Sequence, residues 1–152
     1  MNGVTQISVT EDVALITFAK VPNDLKVVAG IFQSVSEAGI NIDMVSQTAP
    51  QGQYVSFSFT VGNEDTVKVL SLVNSLKIKP MVSTGNCKIQ LYGEEMPQMH
   101  GVFARALASA ATTEAELLLV TTSEVDISLL TTSVHLQEAL EALERDFDVK
   151  AE

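Results

Sequence analysis

Residues 25–44, LKVVAGIFQSVSEAGINIDM, change their hydrophobic period midway. Leu25, Val28, Ile31, Phe32 and Val35 recur at three- and four-residue spacing, which predicts one face of a helix. Gly39 is the expected C-terminal stop. Beyond it Ile40, Ile42 and Met44 alternate with Asn41 and Asp43, the period of a half-buried strand. On the N-terminal side, Val13–Phe18 is apolar and β-branched between Glu11-Asp12 and Pro22-Asn23, and reads as a strand. On the C-terminal side, Ala49-Pro50-Gln51-Gly52 carries turn chemistry, and Val55, Phe57, Phe59 and Val61 alternate as a hairpin partner. Glu64-Asp65 put acids on the first turn of a second helix, with Val67, Leu70, Val73 and Leu76 as its expected face. Pro80 is expected to close that helix, leaving Met81–Ser83 for a short last strand. The order is β-α-β-β-α-β, the split βαβ pattern of an α+β, ferredoxin-like module with an antiparallel sheet.

The order then repeats. Lys88–Tyr92 reads as a strand, Val102–Ala110 as an alanine-rich helix, and Leu117–Val120 with Val125, Ile127 and Leu129 as a hairpin. Leu136, Leu140, Leu143 and Phe147 mark the last helix. Val27, Ile42 and Val45 correspond to Val102, Leu117 and Val120 at one constant offset, which shortens past the hairpin because the loop at Gln51-Gly52 has no counterpart. The second copy runs out of chain at Asp148-Val149-Lys150, while Val4–Val9 is a surplus strand at the front. The expected division is therefore residues 10–85 for the first module and 86–152 for the second. Strand 4–9 would complete the second sheet, nesting the first module inside the second.

Composition narrows the function. The 152 residues are 46% hydrophobic, and nine Lys plus Arg stand against nineteen Asp plus Glu, a formal charge of −10. A folded core is affordable, while so acidic a surface repels nucleic-acid backbones and anionic membranes. The single cysteine, Cys87, excludes an internal disulfide and a CxxC zinc site. No signal peptide and no membrane-spanning apolar run is visible, so a cytoplasmic location is expected. His100 and His135 share no metal-binding spacing, and Arg105 and Arg145 lie inside helices without a glycine-rich phosphate loop, so neither a metal nor a catalytic role is expected.

Glu37–Met44, entering the second strand of a βαββαβ module, resembles an ACT domain, a small regulatory module that binds amino acids. In the second copy, Thr121-Thr122-Ser123-Glu124-Val125-Asp126-Ile127-Ser128 resembles the hairpin segment of aspartokinase ACT domains. With Val21-Pro22 before the first helix and Gln47 after the strand, residues 4–149 are similar to the tandem-ACT C-terminal regulatory region of aspartokinase. The resemblance implies a non-catalytic chain that lacks the kinase portion and senses lysine, threonine or both. It also implies a homodimer through sheet edges and an aspartokinase catalytic region as partner. Where the family opens its first helix with an Asp-x-Pro-Gly-like turn, this chain has Asn23-Asp24-Leu25-Lys26.

A free amino acid needs N–H donors for its carboxylate, best supplied by a helix start, and an acceptor for its ammonium. In the first copy the candidates are Asn23, Asp24, Leu25, Lys26 and Val27 at the helix start, with Asn41, Ile42 and Asp43 on the strand and Gln47, which resembles the family's glutamine contact to the effector. In the second they are Met99, Gly101, Ser123 and Glu124. Asn23 or Asp24 as an ordinary N-cap and Asp43 as a solvated strand residue remain open beside these roles. So does a second function, a ligand-free ACT pair that docks or oligomerises a partner enzyme.

Overall fold

The computed structural model describes residues 2–152. It contains β1 (Gln6–Pro22), α1 (Leu25–Glu37), β2 (Val45–Gln47), β3 (Tyr54–Gly62), α2 (Thr66–Leu76), β4 (Pro80–Tyr92), α3 (Val102–Ala110), β5 (Leu119–Thr122), β6 (Asp126–Thr132) and α4 (Leu136–Phe147). The chain divides into two compact units. One is Asp12–Gly85, and the other joins the residues up to Glu11 to Asn86–Glu152. The long strands β1 and β4 each supply residues to both.

In the Asp12–Gly85 unit the strand order is β2-β3-β1-β4, and β3 pairs antiparallel with both β2 and β1. Every second residue of β1 and β3 faces the helices, so Ile16, Phe18, Phe57 and Phe59 meet Ile31 and Val35 of α1 and Val69 and Val73 of α2 in one core. Phe32 closes this core with edge contacts to Phe57 and Phe59, ring centroids 5.3 and 5.5 Å away. Gly39 takes φ +78° just beyond α1, the left-handed stop its sequence position predicts.

In the other unit the order is β5-β6-β4-β1, with β4–β6 and β5–β6 antiparallel. The place of the module's fourth strand is thus taken by the start of the chain, the nested arrangement of two ferredoxin-like modules. Thr5 donates its N–H to the Tyr92 carbonyl at 2.8 Å. Val4 and Ile7 are buried with Ile89, Leu91, Leu129, Leu143 and Phe147. Arg105 holds the front segment in place, its guanidinium 4.9 Å over the Phe147 ring and 3.4 Å from the Asn2 carbonyl. Gly93 lets the backbone of Gly3 approach so closely that a Cβ would lie 1.6 Å from the Gly3 carbonyl oxygen. The tail beyond α4 adds one bridge, with Glu152 donating to the Ile7 carbonyl at 3.0 Å.

Four local expectations are corrected. Glu11-Asp12 does not separate two strands, because Asp12 adopts φ +57° and β1 runs on through it. Pro80 does not close α2. Lys77 does so with a left-handed φ of +56°, and Pro80 opens β4, which continues unbroken to Tyr92. Ile40–Met44 is not a regular strand: the Asp43 N–H bonds the Thr60 carbonyl and the Thr60 N–H bonds the Met44 carbonyl, two residues against one, while the Met44 N–H goes to the Thr60 hydroxyl at 2.9 Å, and the regular ladder begins at Val45. The buried face of α2 is Val69 and Val73, with Val67 and Leu70 exposed. A 3-10 turn at Asn63–Asp65 takes up the acids and sets the helix phase.

Candidate functional site

The unit that contains Asn86–Glu152 holds a cavity of about 460 Å³ where the start of α3 faces the β5–β6 turn. Its floor is apolar, from Met96, Met99, Val102, Phe103, Val120 and Ile127. Gly101 forms one rim. It sits at the N-cap with φ +84°, a conformation that disfavours any side chain, and no side chain caps the helix. The first-turn N–H groups of α3 therefore have no intrahelical acceptor and form the positive end of the helix dipole.

Thr122, Ser123 and Glu124 form the opposite rim. Ser123 is spent on the turn. Its hydroxyl lies 2.9 Å from the Asp126 carboxylate and accepts the N–H groups of Val125 and Asp126, while its own N–H reaches the Asp126 carbonyl at 2.9 Å. Asp126 is anchored in turn by Gln90 at 2.8 Å. This fixed turn presents Glu124, whose exposed carboxylate has no partner among the described residues. An N–H cluster for an anion, a lone carboxylate for a cation and an apolar floor between them match the three parts of an amino acid.

Met99, Gly101, Ser123 and Glu124 thus line one cavity. The candidates of the Asp12–Gly85 unit are not gathered in the same way. Asp24 caps α1, accepting the Lys26 N–H at 3.0 Å, so its carboxylate occupies the position considered for a ligand. Asn23 is held by the Gln53 carbonyl at 2.7 Å, and Leu25 is 82% exposed. Lys26 and Val27 line a groove of about 910 Å³ with Lys20, Lys77 and Lys79. Asn41, Ile42, Asp43 and Gln47 line no part of that groove. Ile42 packs against the core, the Asp43 N–H bonds the Thr60 carbonyl, and Gln47 ends β2 in an exposed position.

Sequence reasoning missed Phe103, Val120 and Ile127 as cavity wall, because apolar residues on three different elements read as ordinary core. It also missed the convergence of Lys20, Lys77 and Lys79. The one available signal was that four of a scarce set of cations lie in 20–26 and 77–79. Two groups outside the cavity titrate away from their ordinary values. Hydrogen bonding to Glu94 raises the Tyr92 phenol, and the Arg145 guanidinium lowers the Asp146 carboxyl. Among the described residues no three His, Cys, Asp or Glu side chains gather as a metal site, and no helix is long and apolar enough to cross a membrane.

Known proteins give the same pattern. The ACT domain family matches residues 89–147. An aspartokinase of Geobacillus stearothermophilus is 28% identical over 150 residues, covering 98% of this chain and 37% of that protein. The crystal structure of the ligand-free regulatory subunit of aspartate kinase from Thermus thermophilus superposes with a TM-score of 0.87 at 26% identity, covering 95% of this chain and 99% of that one. Aspartate kinase from Synechocystis shares the fold, with a TM-score of 0.93 at 20% identity over 99% of this chain and 28% of that one. The chain spans about 37% of the length of the curated relatives it matches.

Proposed function

We propose that this chain, which matches the ACT family over residues 89–147 and resembles the regulatory region of aspartokinase over nearly its whole length, is a tandem-ACT, non-catalytic sensor binding a free amino acid between Gly101 and Glu124. The observation that carries this reading is the convergence of an uncapped helix start, an unpaired carboxylate and an apolar floor in one cavity. Lysine fits all three: its α-carboxylate on the α3 N–H groups, its methylenes on Met99 and Phe103, and an ammonium on Glu124. Threonine, the other effector the resemblance implies, has no second cation for Glu124 and binds more weakly here.

The sensor works as a homodimer through its exposed sheet edges, β2 in one unit and β5 in the other. The effector binds one dimer state better, and that difference biases an aspartokinase catalytic partner in the cytoplasm, giving feedback control over the synthesis of aspartate-derived amino acids. A second reading, a docking pair without a ligand, is favoured by the Asp12–Gly85 unit. There Asp24 already satisfies the helix start and Asn41, Asp43 and Gln47 stand outside the groove. Calorimetric titration of lysine and threonine separates the two. Saturable lysine binding that Glu124→Gln weakens by roughly tenfold or more supports the sensor. A stable dimer that binds neither amino acid supports the docking pair.

A further inference from the structure

The Asn86–Glu152 unit carries a second cavity, of about 190 Å³, deep between α3, α4 and the sheet. The internal repeat explains it. At the offset that relates the copies, Ala106, Ala110 and Ala115 stand where the other unit has Ile31, Val35 and Ile40, and Ala139 stands where it has Val69. In that other unit all four bulky side chains are buried in one core. Of these alanines, Ala110, Ala115 and Ala139 line the cavity, so on facing elements they leave out wall atoms that helix packing does not restore, and the space stays open.

One further exchange sits in the same place. Thr131 replaces Val61 and lines the cavity; it is 4% exposed, and its hydroxyl has no hydrogen-bond partner. A buried hydroxyl without a partner is costly, and a methyl group of the same shape would avoid that cost. Water is a poor occupant, because it needs two to four polar partners. Glu116 at the rim is the one ionisable wall residue, and its charge disfavours carboxylates and phosphates.

We propose that this cavity is a binding site for a small neutral aliphatic alcohol, its branched chain on Leu107, Leu129 and Leu143 and its hydroxyl on Thr131. The size fits: a cavity of about 150 Å³ holds a benzene-sized molecule. The site is separate from the Gly101–Glu124 cavity and does not depend on amino-acid sensing. The probe is 3-methyl-1-butanol, titrated into the full chain while the methyl NMR signals of Leu129 and Leu143 are followed.

Saturable shifts at those methyls with a Kd of about 1 mM are expected, the strength a ligand of this size can reach. Ala139→Val, which restores the residue of the other copy, raises Tm and weakens binding roughly tenfold. Thr131→Val keeps the fold and weakens the alcohol about threefold to tenfold, the share of one neutral hydrogen bond. Ala110→Val gives a second filled variant should Ala139→Val distort α4. Absence of saturable shifts in the unaltered chain overturns the proposal, and so does alcohol binding that persists in both filled variants.

Discussion

The two units are copies of one module, yet the space between helices and sheet is filled in one and open in the other. In Asp12–Gly85, Ile31, Val35, Ile40 and Val69 close the space under the helices, and Phe32 locks against Phe57 and Phe59. In the unit containing Asn86–Glu152, alanines stand at the same positions, and Leu107 replaces the aromatic lock. The helix starts differ in the opposite sense. Asp24 caps α1 with its own carboxylate, while α3 begins at an uncapped glycine facing an unpaired glutamate. Bulky core residues and a capped helix start stand in one copy, alanines and an uncapped helix start in the other. Duplication permits this division, because a site that leaves donors unpaired costs its own module stability that the other module need not lose.

The contrast can be broken from either side. The largest effect is expected at Gly93, where a Cβ would collide with the Gly3 backbone. Gly93→Ala should cost at least about 3 kcal/mol and release the front segment from its unit, read by chemical denaturation and by loss of hydrogen-exchange protection at Thr5. Hollowing the filled copy comes next. Ile31→Ala should cost about 2 kcal/mol, the low end for such a truncation, because Ile31 is buried in the core yet borders the open groove on one side. Asp24→Ala should cost about 1 kcal/mol by uncapping α1. Amino-acid binding left unchanged in the same variant, read by calorimetry, would show that the cap stabilises a helix and holds no ligand.

The smallest effect is electrostatic. The Arg145 guanidinium beside Asp146 lowers its carboxyl below the ordinary range, so the pair's contribution is present above the unfolded carboxylate range and fades as pH falls through the folded value. Arg145→Gln should move the Asp146 titration, followed by carboxyl NMR, back toward the ordinary carboxylate range, with little change in Tm.

Element order and repeat were legible because hydrophobic period survives in every helix and in most strands. What escaped was where strands begin and end. Glu11-Asp12 and Pro80 carry local breaker chemistry, and only tertiary pairing shows that β1 runs through the first and that β4 begins at the second. Ile40–Met44 keeps a strand's alternation, but Asp43 and Met44 both bond Thr60, two residues against one, so the regular ladder starts only at Val45. At the candidate site, Gly101, Ser123 and Glu124 were readable as motif residues. Phe103 and Ile127 were not, since nothing in a linear pattern distinguishes a cavity wall from core. The hollow beneath α3 was half visible in its alanine content, and its meaning required the filled copy for comparison.

The most direct test of the account is calorimetric titration of lysine into the unaltered chain and into Glu124→Gln, with the dimer followed in parallel by sedimentation. The account predicts saturable binding, tighter dimerisation as lysine binds, and an affinity at least about tenfold weaker in the variant. Lysine binding of equal strength in both proteins, or no binding in either, would contradict the role given to the Gly101–Glu124 cavity.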